Sequence, residues 1–298
     1  MDWKSRRIEA IVEQALVEDK ATDDATTLIT IDAALRGTGT IVAKQDCTIA
    51  GLGIIPRVLS VFARLEGRSE ANFEVVSHPE IFDGVRVRKG QSLAVIRTTA
   101  RTLLSTERVI LNFLQRMSGI ATLTRHYADA VHGTKTTVID TRKTVPGLRI
   151  LDKYAVTCGG GENHRLDLSD GILIKNNHIS LGGGVATVLA NAHARRKPGQ
   201  VIDIEVRTFA ELDQALAHGA ESLLLDNMTP DEVRRAIAIV RERDTDRSLA
   251  IPIEASGGME LATIREYALT GPDYISVGAL THSALAVDLS MRIAAEQQ

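Results

Sequence analysis

Residues 201–242 read VIDIEVRTFAELDQALAHGAESLLLDNMTPDEVRRAIAIVRE, and their rhythm decides the fold. Two short apolar runs, 201–206 and 222–226, are each followed by a stretch with apolar residues at helical spacing, 208–219 and 229–242. Strand followed by helix, repeated, is the signature of a parallel sheet or barrel. Thr229 and Glu232, three residues apart, form a capping box at the start of the second helix.

The alternation extends in both directions. Further candidate strands lie at 136–140, 171–175, 251–255 and 273–277, making six, with helical patterns at 185–196 and 259–271. Each strand stops on a polar residue: Asp140, followed by Thr141, Arg142 and Lys143; Lys175, with Asn176; Glu205; Asp226; Glu254, followed by Ser256, Gly257 and Gly258; and Ser276, before Gly278. A buried strand gains nothing from ending in an unpaired charge, and the carboxyl ends of barrel strands carry the active site. These endings are expected to converge on one pocket. The glycines after the last two strands would let backbone N–H groups approach a phosphate closely.

Residues 140–184, DTRKTVPGLRILDKYAVTCGGGENHRLDLSDGILIKNNHISLGGG, add seven nitrogen bases: Arg142, Lys143, Arg149, Lys153, His164, Arg165 and Lys175. Two glycine triplets, 159–161 and 182–184, interleave them. Such a segment suits a small, strongly anionic ligand. The net charge of -3 argues against a general nucleic-acid binder, so a local cationic site within a mildly acidic chain is the consistent reading. Two cysteines, Cys47 and Cys158, are too few for a disulfide framework or a structural zinc site in 298 residues, which fits a reducing cytosol. The first twenty residues lack the apolar core of a signal peptide, and no window is apolar enough for a membrane span, so a cytoplasmic protein is expected.

The first hundred residues have another texture. Residues 5–17 follow the spacing of one helical face, and 56–65 do so again behind Pro56. Short β-branched runs at 28–31, 39–43 and 47–49, then alternation around Asp83-Gly84 and Lys89-Gly90, predict small antiparallel strands. Together they resemble an α+β sandwich. Ser105 reads as the N-cap of the next helix, which puts Arg108 in its first turn, where a cation opposes the helix dipole. That placement hints at a role beyond stability; the plainer reading is a surface pair with Glu107 or Asp129.

Three long motifs carry a resemblance. ERVILNFLQRMSGIATLT (107–124), DTRKTVPGLRILDKYAV (140–156) and GGGENHRLDLSDGILIKNNHI (159–179), with EASGG and YISVGALTHS later, closely resemble the quinolinate phosphoribosyltransferases, over nearly the whole chain. The resemblance implies an N-terminal α+β open sandwich, 1–118, followed by an open six-stranded α/β barrel, 119–298, whose C-terminal helix could pack back on the first domain. It implies phosphoribosyl transfer from phosphoribosyl pyrophosphate (PRPP) to quinolinate with loss of carbon dioxide, Mg²⁺ bound with PRPP, and a homodimer or higher oligomer with shared sites. Arg142, His164, Arg165 and Lys175 would hold the dicarboxylate, with Arg108 supplied across the dimer. Lys143 and the backbone of Ser256, Gly257, Gly258, Val277, Gly278 and Ala279 would hold PRPP phosphates, Thr141 would be a further substrate-binding residue, and Lys143 and Lys175 would join Glu205 and Asp226 as catalytic residues. Glu205 and Asp226 would face the ribose, directly or through Mg²⁺.

The chain departs from the family pattern twice. Asn176 stands where an acid usually follows the strand-end lysine, and Arg207 where a second acid usually follows Glu205. The alternatives are a molybdenum-operon-type paralogue, a Schiff-base aldolase using Lys175, and a non-catalytic anion-binding protein. His126, His178, His193, His218 and His282 lack convergent partners in the sequence and carry no assignment.

Overall fold

The computed structural model describes residues 1–69, 71–243 and 250–296. The chain divides into two compact units that interleave in sequence. Met1–Leu123, Thr144–Gly160 and Ser283–Gln298 make the first; Thr124–Lys143 and Gly161–His282 make the second. Among the described residues no helix is long and apolar enough to cross a membrane.

In the first unit, helix α1 (Arg6–Glu18) buries Ile8, Val12 and Leu16. After it, 28–31 does not form the expected strand: helix α2 (Ala25–Thr30) takes 28–30 and Ile31 is its C-cap, because Asp24 accepts the Thr27 N–H at 3.0 Å and caps a helix there. Strands β1 (Arg36–Ala43) and β2 (Cys47–Thr48) follow, then α3 (Ile54–Leu65), tied to α1 by Arg57–Glu9 at 2.6 Å and Arg64–Glu13 at 2.8 Å. Strands β3 (Glu74–Val76), β4 (Arg86–Val87) and β5 (Ser92–Thr99) complete the antiparallel part, with β5 between β1 and β3, and β2 paired to β4.

The chain's last segment, expected as a helix, is a strand instead. Leu289–Ala295 pairs antiparallel along the free edge of β1, from Ala43↔Leu289 to Gly37↔Ala295. An unpaired strand edge leaves a row of N–H and C=O groups to be satisfied, and this segment supplies them.

Helix α4 (Ala100–Val131) starts five residues before the expected cap. Thr99 Oγ1 accepts the Thr102 N–H at 3.2 Å, so Thr99 acts as the N-cap; Ser105 lies inside the helix and donates to Asp24 Oδ2 at 3.0 Å. Arg108 is therefore in the third turn, exposed, and the dipole argument for it lapses. Helix α5 (Arg149–Cys158) also belongs to the first unit, where Asp152 takes two hydrogen bonds from Arg116, at 2.9 and 2.7 Å.

The second unit is a parallel sheet of six strands: β6 (Thr137–Ile139), β7 (Ile172–Ile174), β8 (Ile202–Val206), β9 (Ser222–Asp226), β10 (Ile253–Ser256) and β11 (Tyr274–Ser276). Their order is β6-β11-β10-β9-β8-β7, so β6 and β7 are the two edges and the barrel is open. At the β6 edge Glu162 makes up for a missing strand: the Asp140 N–H donates to its carbonyl at 3.1 Å and its own N–H donates to Val138 O at 2.9 Å. Helices α6 (Asn176–Leu181), α7 (Val185–Arg195), α8 (Phe209–Ala217), α9 (Pro230–Arg243) and α10 (Ile264–Ala268) connect the strands, and α11 (Ala279–His282) follows β11. Of the helical pattern at 259–271 only α10 forms regular α-helix. Thr208 and Glu211 cap α8 reciprocally, and Thr229 and Glu232 do the same before α9.

Candidate active site

The carboxyl ends of the six strands meet at a cavity with two adjoining lobes. One, of about 340 Å³, is lined by Arg142, Lys143, His164, Arg165, Lys175 and Glu254 among others. The other, of about 510 Å³, is lined by Gly257, Gly258, Gly278, Ala279, Asn176 and Arg207 among others. Thr141, Lys143, Lys175, Glu205, Asp226, Ser256 and Ser276 border both. Cations thus dominate one lobe and glycine loops the other, each of a size suited to a small molecule.

Sequence and structure diverge at several of the expected residues. Arg149 and Lys153 lie on α5 in the first unit and line neither lobe; Lys153 is buried there, at 2% exposure. Arg108 also lines neither. Val277 is buried and its N–H donates to Ile139 O at 2.9 Å, so it belongs to the sheet ladder and is not available to a phosphate. Asp140, alone among the strand endings, does not line the cavity. Fully buried, it accepts the His164 N–H at 2.9 Å and so fixes the loop that brings His164 and Arg165 to the rim.

In the cationic lobe, burial and then the neighbouring Arg142 guanidinium hold Arg165 below the ordinary guanidinium range. Two guanidiniums held close in a partly desolvated place favour an anion between or beside them. His164 Nε2 lies 3.3 Å from Glu254 Oε2, which assigns Glu254 to the support of His164; the other oxygen, Glu254 Oε1, is buried without a hydrogen bond. Behind them stands Asp203, two residues before Glu205 on the same face of β8. Burial raises its pKa, moderated by a hydrogen bond from Ser222 and by the charge of His164. Sequence reading missed Asp203; the signal was its two-residue spacing from Glu205.

In the other lobe, Gly257 and Gly258 have φ of +99° and +57°, left-handed backbone that glycine adopts without strain. A Cβ on Gly257 would also run into the Asn227 side-chain amide. Gly278 leaves room for the Lys143 side chain, whose Cδ would lie 2.9 Å from an added Cβ. The Lys143 carbonyl accepts the Thr281 hydroxyl at 2.9 Å, anchoring this lysine from α11. His282 lines the same lobe and was also missed.

The two strand-end acids are joined by Arg207. Its Nη2 lies 3.3 Å from Glu205 Oε1 and 3.0 Å from Asp226 Oδ2, and its Nε donates to the same Asp226 oxygen at 3.0 Å. Asn227, in left-handed backbone at φ +57°, donates its amide to Asp226 Oδ2 at 2.8 Å. Among the described residues no group of three or more His, Cys, Asp or Glu is arranged to hold a metal. Asp226 Oδ2 is taken by Arg207 and Asn227, whereas Glu205 Oε1 is buried without a hydrogen bond, so the pair retains carboxylate oxygens that suit Mg²⁺, which needs only one or two carboxylates beside substrate phosphates.

Comparison with known proteins places this geometry. Residues 24–118 match the quinolinate phosphoribosyl transferase N-terminal domain and residues 120–292 its C-terminal domain. The chain is 41% identical over 281 residues to the carboxylating nicotinate-nucleotide pyrophosphorylase of Mycobacterium leprae, covering 94% of this chain and 95% of that one. It is 38% identical to the probable carboxylating nicotinate-nucleotide pyrophosphorylase of Bacillus subtilis, covering 96% and 93%. The crystal structure of NadC from Streptococcus pyogenes is similar over 100% of both chains, at a TM-score of 0.90 and 35% identity.

Proposed function

Since the chain belongs to the quinolinate phosphoribosyltransferase family, we propose that the two lobes divide its reaction between them, the cations taking the pyridine dicarboxylate and the glycine loops taking PRPP. The enzyme transfers a phosphoribosyl group from PRPP to quinolinate with loss of carbon dioxide, in NAD biosynthesis. One observation carries the division of labour: Arg142, His164 and Arg165 meet in one lobe, while Gly257, Gly258, Gly278 and Ala279 meet in the other.

In this reading Arg142 and Arg165 meet the two adjacent carboxylates with the paired N–H geometry that arginine alone presents, and Lys175 adds a third cation from the end of β7. Lys143, Thr141 and the backbone of residues 256–258 and 278–279 hold PRPP. Glu205 and Asp226 face the ribose, where carboxylates accept its hydroxyl hydrogen bonds and stabilise the positive charge that grows at the anomeric carbon. The anomeric carbon–oxygen bond breaks with its electrons leaving on pyrophosphate, and the pyridine nitrogen lone pair forms the new bond. The ring is then cationic. When the carbon–carboxylate bond beside the nitrogen breaks, the electron pair stays on the ring carbon next to that positive charge, and a proton takes the place of the departed carbon dioxide. Fixed charge placed where charge develops is often the largest catalytic contribution. When bound, Mg²⁺ would neutralise part of the phosphate charge, with Glu205 and Asp226 the residues placed to hold it.

Lys175 is exposed, which does not suit a desolvated Schiff-base nucleophile. Purified chain supplied with PRPP, Mg²⁺ and quinolinate labelled in the carboxyl next to the nitrogen is expected to release labelled carbon dioxide and form nicotinate mononucleotide. Absence of both products from folded protein would defeat the reading. Borohydride reduction with a carbonyl substrate should leave Lys175 unmodified.

A further inference from the structure

Glu205 and Asp226 end neighbouring strands, β8 and β9, which run in parallel register from Asp203↔Ser222 to Val206↔Leu225. Their side chains are 7% and 13% exposed, so two acids share a confined place. A cation beside two neighbouring acids is favourable. Arg207 supplies it. Its own backbone is fixed, since its N–H donates to Glu211 Oε2 at 2.7 Å in the capping box that opens α8. The guanidinium therefore reaches the acids from a secured base, while 45% of its side chain faces solvent. From the other flank the Asn227 amide completes the shell of Asp226 Oδ2.

We propose that Arg207 is a positioning residue that acts as a built-in cation, pairing with Glu205 and Asp226 at the cavity and competing with a divalent metal for them in the free enzyme. The guanidinium offers several N–H groups in one plane, so one side chain can bind both acids at once, whereas an ammonium is a point charge that cannot span them in the same geometry. The fork fixes the direction of the Asp226 carboxylate by a hydrogen bond and meets Glu205 Oε1 as an ion pair at 3.3 Å. A hydrated ion would leave the acids to find their own rotamers. This inference deepens the reading of the cavity as a PRPP site, and its primary measurement is made without substrate.

Ligand-free protein is titrated with Mn²⁺ and free ion is followed by electron paramagnetic resonance. The unaltered chain is expected to bind Mn²⁺ weakly at this site. Arg207→Gln should bind at least about tenfold more tightly, the scale on which loss of a charge-assisted hydrogen bond is felt. The double variant Glu205→Gln with Arg207→Gln should return to weak binding, and Arg207→Lys should fall between. Equal Mn²⁺ affinity in the unaltered chain and Arg207→Gln, with both folded by circular dichroism, would overturn the proposal. So would tight binding that survives Glu205→Gln. If Arg207→Gln does not fold, Arg207→Lys decides the matter: affinity no greater than that of the unaltered chain counts against the built-in cation. Because no substrate is present, failure here is distinguishable from failure to turn over quinolinate and PRPP.

Discussion

At the scale of single residues, the cavity shows how one position acquires meaning from another. Asp203 is an ordinary mid-strand acid in the sequence, yet behind His164 and Arg165 it is held where burial favours its protonated form. The sign of the consequence follows from linkage. With its folded pKa raised, Asp203 keeps its proton after the unfolded chain has released it, so its favourable contribution is full below the ordinary carboxylate range and is lost as pH rises through the folded pKa. Asp203→Asn removes that loss. Urea unfolding midpoints should therefore shift in favour of the variant more at pH 7 than at pH 4; a shift that is the same at both would contradict the assignment. Asp140 teaches the complementary lesson, because its strand-end position suggested substrate contact and its buried hydrogen bond to the His164 backbone shows support instead.

At the scale of elements, boundaries followed local hydrogen bonds more than hydrophobic pattern. Asp24 started a helix where β-branched residues suggested a strand, and Thr99 started α4 ahead of Ser105. Both caps were legible as residue types, but several competing caps stood nearby and only the realised backbone selected among them. Gly119 is a second case. It loosens the apolar pattern of α4, and the reason lies far along the chain: a Cβ there would strike the Leu285 carbonyl oxygen. Alanine normally favours a helix over glycine by roughly 1 kcal/mol. Here the overlap is with main chain, for which overpacking costs of about 1 to 3 kcal/mol apply at their upper end. Gly119→Ala is expected to destabilise the chain by about 1 to 2 kcal/mol net, read as a lower urea midpoint; a gain in stability would mean that the 285 segment yields freely.

At the scale of the whole molecule, the family's two domain matches meet at 118 and 120, near the boundary between 1–118 and 119–298 that the resemblance implies, while the compact units interleave, since Thr144–Gly160 and Ser283–Gln298 return to the first. The return explains why Arg149 and Lys153, embedded in a run of cavity residues, are absent from the cavity. Arg108 belongs to this scale too. With its dipole argument gone, a role across a homodimer rests on the family resemblance, and mixing tests it: Arg108→Ala and Arg165→Ala proteins, each inactive alone, should recover about a quarter to a half of the unaltered turnover when co-refolded, since a shared site leaves one intact pocket in a mixed dimer. No recovery with mixed dimers demonstrated would place Arg108 outside the site. The sequence by itself determined the six parallel strands, their polar endings and the gathering of cations among them, because strand period, helical period and charge are local properties written in consecutive residues. Only the tertiary structure decided that Asp203 stands behind the cationic lobe, that Arg207 bridges two acids, and that the last strand closes the edge of β1, because each depends on which distant segments hydrogen bonding and burial bring side by side.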